Sequence, residues 1–441
     1  MREVDTIIAG GTILTLDDRD RRIVDGALAI DGDTIVQTGS TAEIKNQFSG
    51  RTLLSAENCL VLPGLVNCHT HGAMTCFRGV ADDLELMTWL NNYIFPLEAR
   101  HLNRDMVYWG SLLAMAEMIK SGTTAFCDMY LFEDEVARAV RQAGMRCLLG
   151  EGLLDFPSPA AENTADGLFC TRQLIEKWGG DPLISIIVHP HSLYACSPPA
   201  LVAAKKIADE YNLPYALHLL ENKAESVQLQ QKFGQKPLAF LQDLGYLTDR
   251  MLAYHCVVVD QEDIELLADH GCQVVHTPAS NMKLASGVAP VPAMKAAGIT
   301  VGLGTDGCAS NNDLDMFREM DMAAKLHKVN SLDPTVMDAK TVIRMATCGG
   351  AKALGLEKVI GTLEAGKKAD LIIIDLNKPH LTPLYNEYSQ LVYAAGGADV
   401  DTVMINGRLI MKNRRLLTID ESEVIARVKQ IAQGIKKSLS G

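Results

Sequence analysis

Apolar and polar positions along this 441-residue chain change rhythm twice. Up to about residue 60, short apolar runs are broken by turn residues: Thr6-Ile7-Ile8-Ala9 before Gly10-Gly11, Thr12-Ile13-Leu14-Thr15-Leu16, and Gly26-Ala27-Leu28-Ala29-Ile30 before Asp31-Gly32-Asp33. Such runs predict the short strands of a small sheet. From about residue 61, apolar strands alternate with amphipathic helices. Strands are predicted over 60–66, 123–127, 146–149, 183–188, 215–217, 251–254, 273–275 and 300–303, with helices between them over 105–120, 133–143, 199–211 and 261–270. Eight β/α repeats predict an α/β fold, a TIM-like (β/α)8 barrel of parallel strands, whose chemistry sits at the C-terminal strand ends. Strand character returns in Ala369-Asp370-Leu371-Ile372-Ile373-Ile374-Asp375 and Thr402-Val403-Met404-Ile405-Asn406-Gly407. These can pair with the N-terminal strands. The expected division is a small β-sandwich domain from 1–60 plus 360–420, a barrel over 61–359 and a C-terminal helix over 421–441.

Composition narrows the setting. Hydrophobic residues at 48% and charged residues at 22% are ordinary for a soluble globular protein. A net charge of -13 argues against a nucleic-acid partner, which calls for a basic face. The start, Met1-Arg2-Glu3-Val4-Asp5, lacks the basic and apolar regions of a signal peptide, and no run approaches the roughly 18 apolar residues of a membrane span. The 11 cysteines include no C-x-x-C pair and resemble neither a disulfide framework nor a cysteine metal site. The cytoplasm is therefore the expected location, with no membrane partner. A homo-oligomer is compatible with all of this.

Chemistry enters where polar residues end the apolar runs. The segment Pro63-Gly64-Leu65-Val66-Asn67-Cys68-His69-Thr70-His71 closes the first barrel strand on two histidines that can converge on one cation. His189 and His191 follow strand four, His218 strand five, His255 strand six, His276 strand seven and Asp306 strand eight. Any one of them could be a buried, hydrogen-bonded side chain; recurrence at six strand ends points to a shared site. His69, His71, His218 and Asp306 would give one divalent metal per subunit three imidazoles and a carboxylate, with a position open for water. Zinc suits this set, and iron or manganese would accept it. The stretch Ile184-Ser185-Ile186-Ile187-Val188 offers no lysine to bridge a second ion. Glu221, three residues after His218, can face the same cavity and donate a proton to a ring nitrogen while an activated water attacks the adjacent carbon. His255 would orient or polarise that water.

These motifs, with His276-Thr277-Pro278-Ala279-Ser280-Asn281-Met282-Lys283-Leu284, Gly304-Thr305-Asp306-Gly307 and Gly361-Thr362-Leu363-Glu364-Ala365-Gly366-Lys367-Lys368-Ala369-Asp370-Leu371, strongly resemble the amidohydrolase superfamily over essentially the whole chain. Leu86-Met87-Thr88-Trp89-Leu90, Ile94-Phe95-Pro96-Leu97-Glu98 and Asp306-Gly307-Cys308-Ala309-Ser310-Asn311-Asn312 look like those of the 5-methylthioadenosine/S-adenosylhomocysteine deaminases. The resemblance implies that Glu98 binds the ribose hydroxyls, Trp89 packs on the nucleoside and His191 contacts substrate; Ser310 is placed with them and with Glu221 on the substrate side. It implies hydrolytic deamination of the adenine ring. Asp306 takes a proton from water, the oxygen adds to C6, Glu221 protonates N1 and ammonia leaves.

One departure bears on specificity. Relatives that act well on S-adenosylhomocysteine carry arginines after strand three and in the next loop, whereas this chain has Glu151 in Gly150-Glu151-Gly152 and no arginine over 156–164. An acid there predicts a preference for neutral 5'-substituents, as in 5-methylthioadenosine, adenosine or 5'-deoxyadenosine, unless Arg172 supplies a cation. The competing readings are a guanine or pterin deaminase, a triazine chlorohydrolase, and a non-catalytic scaffold. Neither His-x-Glu with Pro-Cys-x-x-Cys nor His-Glu-x-x-His is present, which removes cytidine-deaminase and zinc-protease chemistry.

Overall fold

The computed structural model describes residues 1–439. The Gly10-Gly11 pair, expected to separate two strands, lies inside the single strand β1 (Arg2–Leu14). Register against β2 (Arg22–Asp31) shifts between Ala9 and Gly11 and again between Gly11 and Ile13, so the pair makes a bulge and not a turn. Glycine is required there: Gly10 has φ +93°, and a Cβ on Gly11 would lie 2.8 Å from the Ala56 carbonyl oxygen. β3 (Thr34–Ser40) and β4 (Phe48–Ser55) complete this N-terminal part.

The strand expected over 60–66 is two strands. β5 (Cys59–Pro63) joins the N-terminal sheet, and β6 (Leu65–Thr70) opens the parallel array. Gly64 makes the crossing, where a Cβ would meet Thr124 Oγ1 at 2.0 Å, and its N–H donates to the Asp370 carbonyl. The array continues through β7 (Thr123–Tyr130), β8 (Arg146–Leu153), β9 (Ile184–Ile186), β10 (His189–Pro190), β11 (Tyr215–Leu219), β12 (Met251–His255), β13 (Gln273–His276) and β14 (Val301–Leu303). The fourth expected strand is thus interrupted, with β9 and β10 each pairing with β8. One parallel sheet runs β6-β7-β8 and the other β11-β12-β13-β14. Parallel bridges Val188–Tyr215 and Ser192–His218 join them on one side, and the Asp306 N–H donates to the His69 carbonyl on the other. Every residue of β6, β7, β8 and β11 is buried, as strands covered by helices on one face and core on the other require.

The covering helices Arg104–Lys120, Glu133–Ala143, Pro198–Tyr211 and Gln261–Asp269 fall where the periodicity puts them. Asn103 and Ser197 cap two of them, and Asp260 with Asp263 forms a reciprocal cap on a third. The chain then returns through β15 (Leu371–Asp375), β16 (Val400–Ile405), β17 (Arg408–Lys412) and β18 (Arg415–Leu416). β15 pairs antiparallel with β5, so both ends of the chain share one sheet of nine strands. The last helix is Glu421–Leu439; residues 440–441 of the expected C-terminal helix lie outside the described residues. Among the described residues, no helix is long and apolar enough to cross a membrane.

Candidate active site

His69 is the last residue but one of β6 and His71 stands one residue beyond the strand, turned by the short helix Gly72–Phe77 whose first N–H donates to Asp128 at 2.7 Å. His218 lies within β11, His255 closes β12, and Asp306 follows β14. His255 and Asp306 sit at φ 68° and 60°, and Leu220 beside Glu221 at 52°. Left-handed backbone at non-glycine residues costs on the order of 1–3 kcal/mol each and concentrates at functional sites. Here it turns the chain at the strand ends.

Donor atoms of His69, His71 and Asp306 lie within 4.8 Å of one another, as do those of His69, His218 and His255. The expected ligands thus fall in two groups that share His69, one with His71 and Asp306 and the other with His218 alongside His255. Asp306 Oδ1 is 3.1 Å from His71 Nε2 and 3.5 Å from His69 Nε2. The Nδ1 of His71 is engaged by the Met129 carbonyl and that of His218 by the His191 carbonyl, which leaves each Nε2 to face the centre. His69 is fully buried and neither ring nitrogen has a hydrogen-bond partner, a state that a cation among them would relieve. Burial holds His69 and His191 down to about 3 and His218 well below its usual range, so these rings are neutral near pH 7 and fit to ligate. Burial also opposes protonation of His71, but contact with Asp306 outweighs it and carries the ring to about 9.

Glu221 follows β11 and is buried, not solvated at a helix start, with Oε2 3.9 Å from His255 Nε2. Burial raises its pKa, His255 pulls it back and Asp306 adds to the rise. A carboxyl whose pKa is raised in this way is suited to pass a proton to a bound ring. The sequence reading missed the side chains that hold these groups. Thr277 Oγ1 and Asn281 Oδ1 each lie 2.9 Å from His255 Nδ1, and Ser280 donates to Asp306 Oδ2 at 2.7 Å. All three belong to the segment after β13, whose cluster of small polar residues was the available signal.

His71, His218, Glu221, His255 and Asp306 line a common cavity. Trp89 and Glu98 line it and are buried, one as the last residue of Leu86–Trp89 and the other in Phe95–His101, with the π-helical turn Leu90–Ile94 between. His191 also lines it. Burial raises Glu98 to about 7, against the pull of a hydrogen bond from Tyr130. Tyr130, another lining residue, had no distinguishing mark in the sequence.

Several expectations are corrected. Ser310 does not line the cavity; its hydroxyl donates to Asp306 Oδ2 at 3.0 Å beside Ser280. Glu151 does not face it either: its oxygens accept the N–H groups of Phe132 and Glu133 at 2.9 Å each, in a separate cavity with Arg104 and Lys177. Arg172 pairs with Glu210. His189 lies beneath the site, 2.7 Å from the hydroxyl of Tyr254, whose ring stacks on His69. His276 pairs with His327 at 3.1 Å. Neither histidine reaches the cavity.

The model of the amidohydrolase family matches residues 60–410. The 5-methylthioadenosine/S-adenosylhomocysteine deaminase 1 of Syntrophus aciditrophicus is 59% identical, over 100% of this chain and 99% of its own. The zinc-bound crystal structure of an adenosine deaminase from Xanthomonas campestris superposes with a TM-score of 0.97 at 39% identity, covering 99% of each chain. An atrazine chlorohydrolase from Arthrobacter aurescens shares the fold, with a TM-score of 0.91 at 23% identity over 97% of this chain and 100% of that one. The chain belongs to the amidohydrolase family, in its branch of 5-methylthioadenosine/S-adenosylhomocysteine deaminases.

Proposed function

We propose that this chain hydrolytically deaminates the adenine ring of 5'-substituted adenosines, giving the inosine analogue and ammonia. The observation that carries the reading is buried Glu221, set beside the imidazole and carboxylate cluster at one end of a cavity that Trp89 and Glu98 line. The full-length likeness to deaminases of methylthioadenosine and adenosine supports it. A free base such as guanine would offer Glu98 no ribose hydroxyls to accept from.

His69, His71, His218 and Asp306 would hold one divalent ion, zinc as in the Xanthomonas neighbour, with iron or manganese compatible. When bound, it supplies Lewis acidity that lowers the pKa of water. Asp306 accepts a proton from the attacking water, its Oδ2 steadied by Ser280 and Ser310. Glu221 donates to N1 as the new oxygen bond forms at C6; Asp306 then passes its proton to the exocyclic nitrogen, the C6–N bond breaks with release of ammonia, and the C6 hydroxyl returns a proton to Glu221 as the carbonyl forms. His255, fixed through Nδ1 by Asn281 and Thr277, presents Nε2 to the water. His191 and Trp89 contact the nucleoside, and Glu98 accepts from both ribose hydroxyls. The two parallel sheets around this site fit a (β/α)8 barrel over 61–359, and the small domain expected as a β-sandwich from 1–60 with 360–420 pairs as one nine-stranded sheet.

Neutral 5'-substituents are favoured, for a reason other than Glu151. The acids that line the cavity are Glu98, Glu221 and Asp306, and no lysine or arginine among the described residues joins them. The amino-acid carboxylate of S-adenosylhomocysteine would meet no cation there. The test is ammonia release by zinc-loaded protein with 5-methylthioadenosine, adenosine, S-adenosylhomocysteine and guanine. We expect 5-methylthioadenosine or adenosine to lead in kcat/KM and S-adenosylhomocysteine to trail about tenfold or more, roughly 1.4 kcal/mol of discrimination. Turnover of guanine alone, or of nothing, would overturn the reading.

A further inference from the structure

We propose that Tyr130 is a positioning residue for nucleoside recognition, its phenol pinning the Glu98 carboxylate so that the second oxygen is aimed at the ribose hydroxyls. The inference rests on the reading of Glu98 as the ribose contact. Tyr130 ends β7 and Glu98 lies in the helix Phe95–His101, so the contact joins two separate elements. The phenol donates to Glu98 Oε1 at 2.6 Å, and both side chains are buried, with relative exposures of 5% and 7%.

The last torsion of a glutamate is broad, with no steep staggered minimum to orient its carboxylate. An anchor on Oε1 supplies the orientation and leaves Oε2 to accept from two neighbouring hydroxyls. Burial and the nearby carboxylate keep the phenol protonated, so it remains the donor. Tyr130 is itself held, its backbone N–H donating to Glu133 at 2.7 Å. The preceding residue, Met129, engages His71 Nδ1 through its carbonyl. One short stretch therefore engages both a metal-side imidazole and the Glu98 carboxylate, two groups that line the same cavity.

The test compares Tyr130→Phe and Glu98→Gln on adenosine and on 2',3'-dideoxyadenosine, with zinc content and melting temperature confirming that each variant is folded and loaded. Phenylalanine keeps the ring in its packing and removes only the donor. For Tyr130→Phe we expect KM for adenosine to rise about tenfold with kcat changed less than about twofold, and KM for the dideoxynucleoside to stay within about twofold. The double variant should lose no more on adenosine than Glu98→Gln alone. Equal losses on both nucleosides, or an unchanged KM for adenosine, would overturn the role given to Tyr130. If Glu98→Gln loses the parent's preference for adenosine over the dideoxynucleoside in that case, the ribose reading survives and only this inference falls. If Glu98→Gln keeps that preference in full, both fall.

Discussion

Glu221 and His71 both have shifted proton affinities, with opposite consequences. Glu221 is raised by burial, which favours its protonated form relative to an exposed carboxyl. Glu221→Gln keeps the shape and removes the acid; kcat should fall by about 10²–10⁴ while zinc content, measured by elemental analysis, is retained. His71 is raised to about 9 by Asp306, so in ion-free protein at pH 7 it holds a proton that an entering cation must displace. Zinc affinity should therefore strengthen as pH rises from 6 toward 9, with about one proton released per ion near pH 7, measurable by chelator competition and titration in buffers of different ionisation enthalpy. Flat affinity over that interval would remove the His71–Asp306 proton from the account. The histidines of the centre were legible because each is the polar end of an apolar run, a position that a parallel barrel sends to one rim. Glu151 was not, because Gly152 lines the cavity while its neighbour faces the other way, and a run of three residues does not say which faces in.

At the scale of elements, the strand ends are held together by close backbone approach. A Cβ on Gly304 would lie 2.8 Å from the His69 backbone nitrogen and 3.0 Å from its carbonyl oxygen, so β14 and β6 can meet there only over glycine. Gly304→Ala must push His69 away from Asp306. We expect a loss of about 1–3 kcal/mol in stability, and faster loss of zinc in a timed chelator challenge than in the parent. Normal zinc retention in a merely less stable variant would mean that the strand shifts as a unit and carries its ligand with it. Where strands lie was readable from alternation of apolar and helical stretches. Their interruptions were not: Gly64 sits in an apolar run on both sides, and only the pairing of Pro63 with Leu371 and of Leu65 with Thr123 shows that its neighbours belong to different sheets. The Gly10-Gly11 bulge was hidden likewise, since the pattern of a turn and that of a bulge are the same two residues.

The nine-stranded sheet and the parallel array are joined by a buried ion pair. Arg146, at the start of β8, sends Nε and Nη2 to the two oxygens of Asp370 at 2.8 and 3.1 Å, just ahead of β15. Exposure of the side chains is 5% and 1%, so neither charge can turn to water. The remaining polar atoms are satisfied on both sides, Nη1 by the Pro182 carbonyl, Nη2 also by Asn406 Oδ1, and Asp370 Oδ1 by the Asn406 N–H. A pair this dry contributes little against an apolar substitute, but removing one member strands the other. Asp370→Ala should cost about 3–5 kcal/mol, read as a lower urea midpoint, whereas the double replacement Arg146→Met with Asp370→Leu should recover much of it. The parent should unfold in a single step because the pair ties the sheet made from both chain ends to the parallel array. If Asp370→Ala melts in two resolved steps, with zinc lost only in the second, the pair is what makes the two parts cooperative; if it melts in one step at an unchanged midpoint, their packing suffices without it.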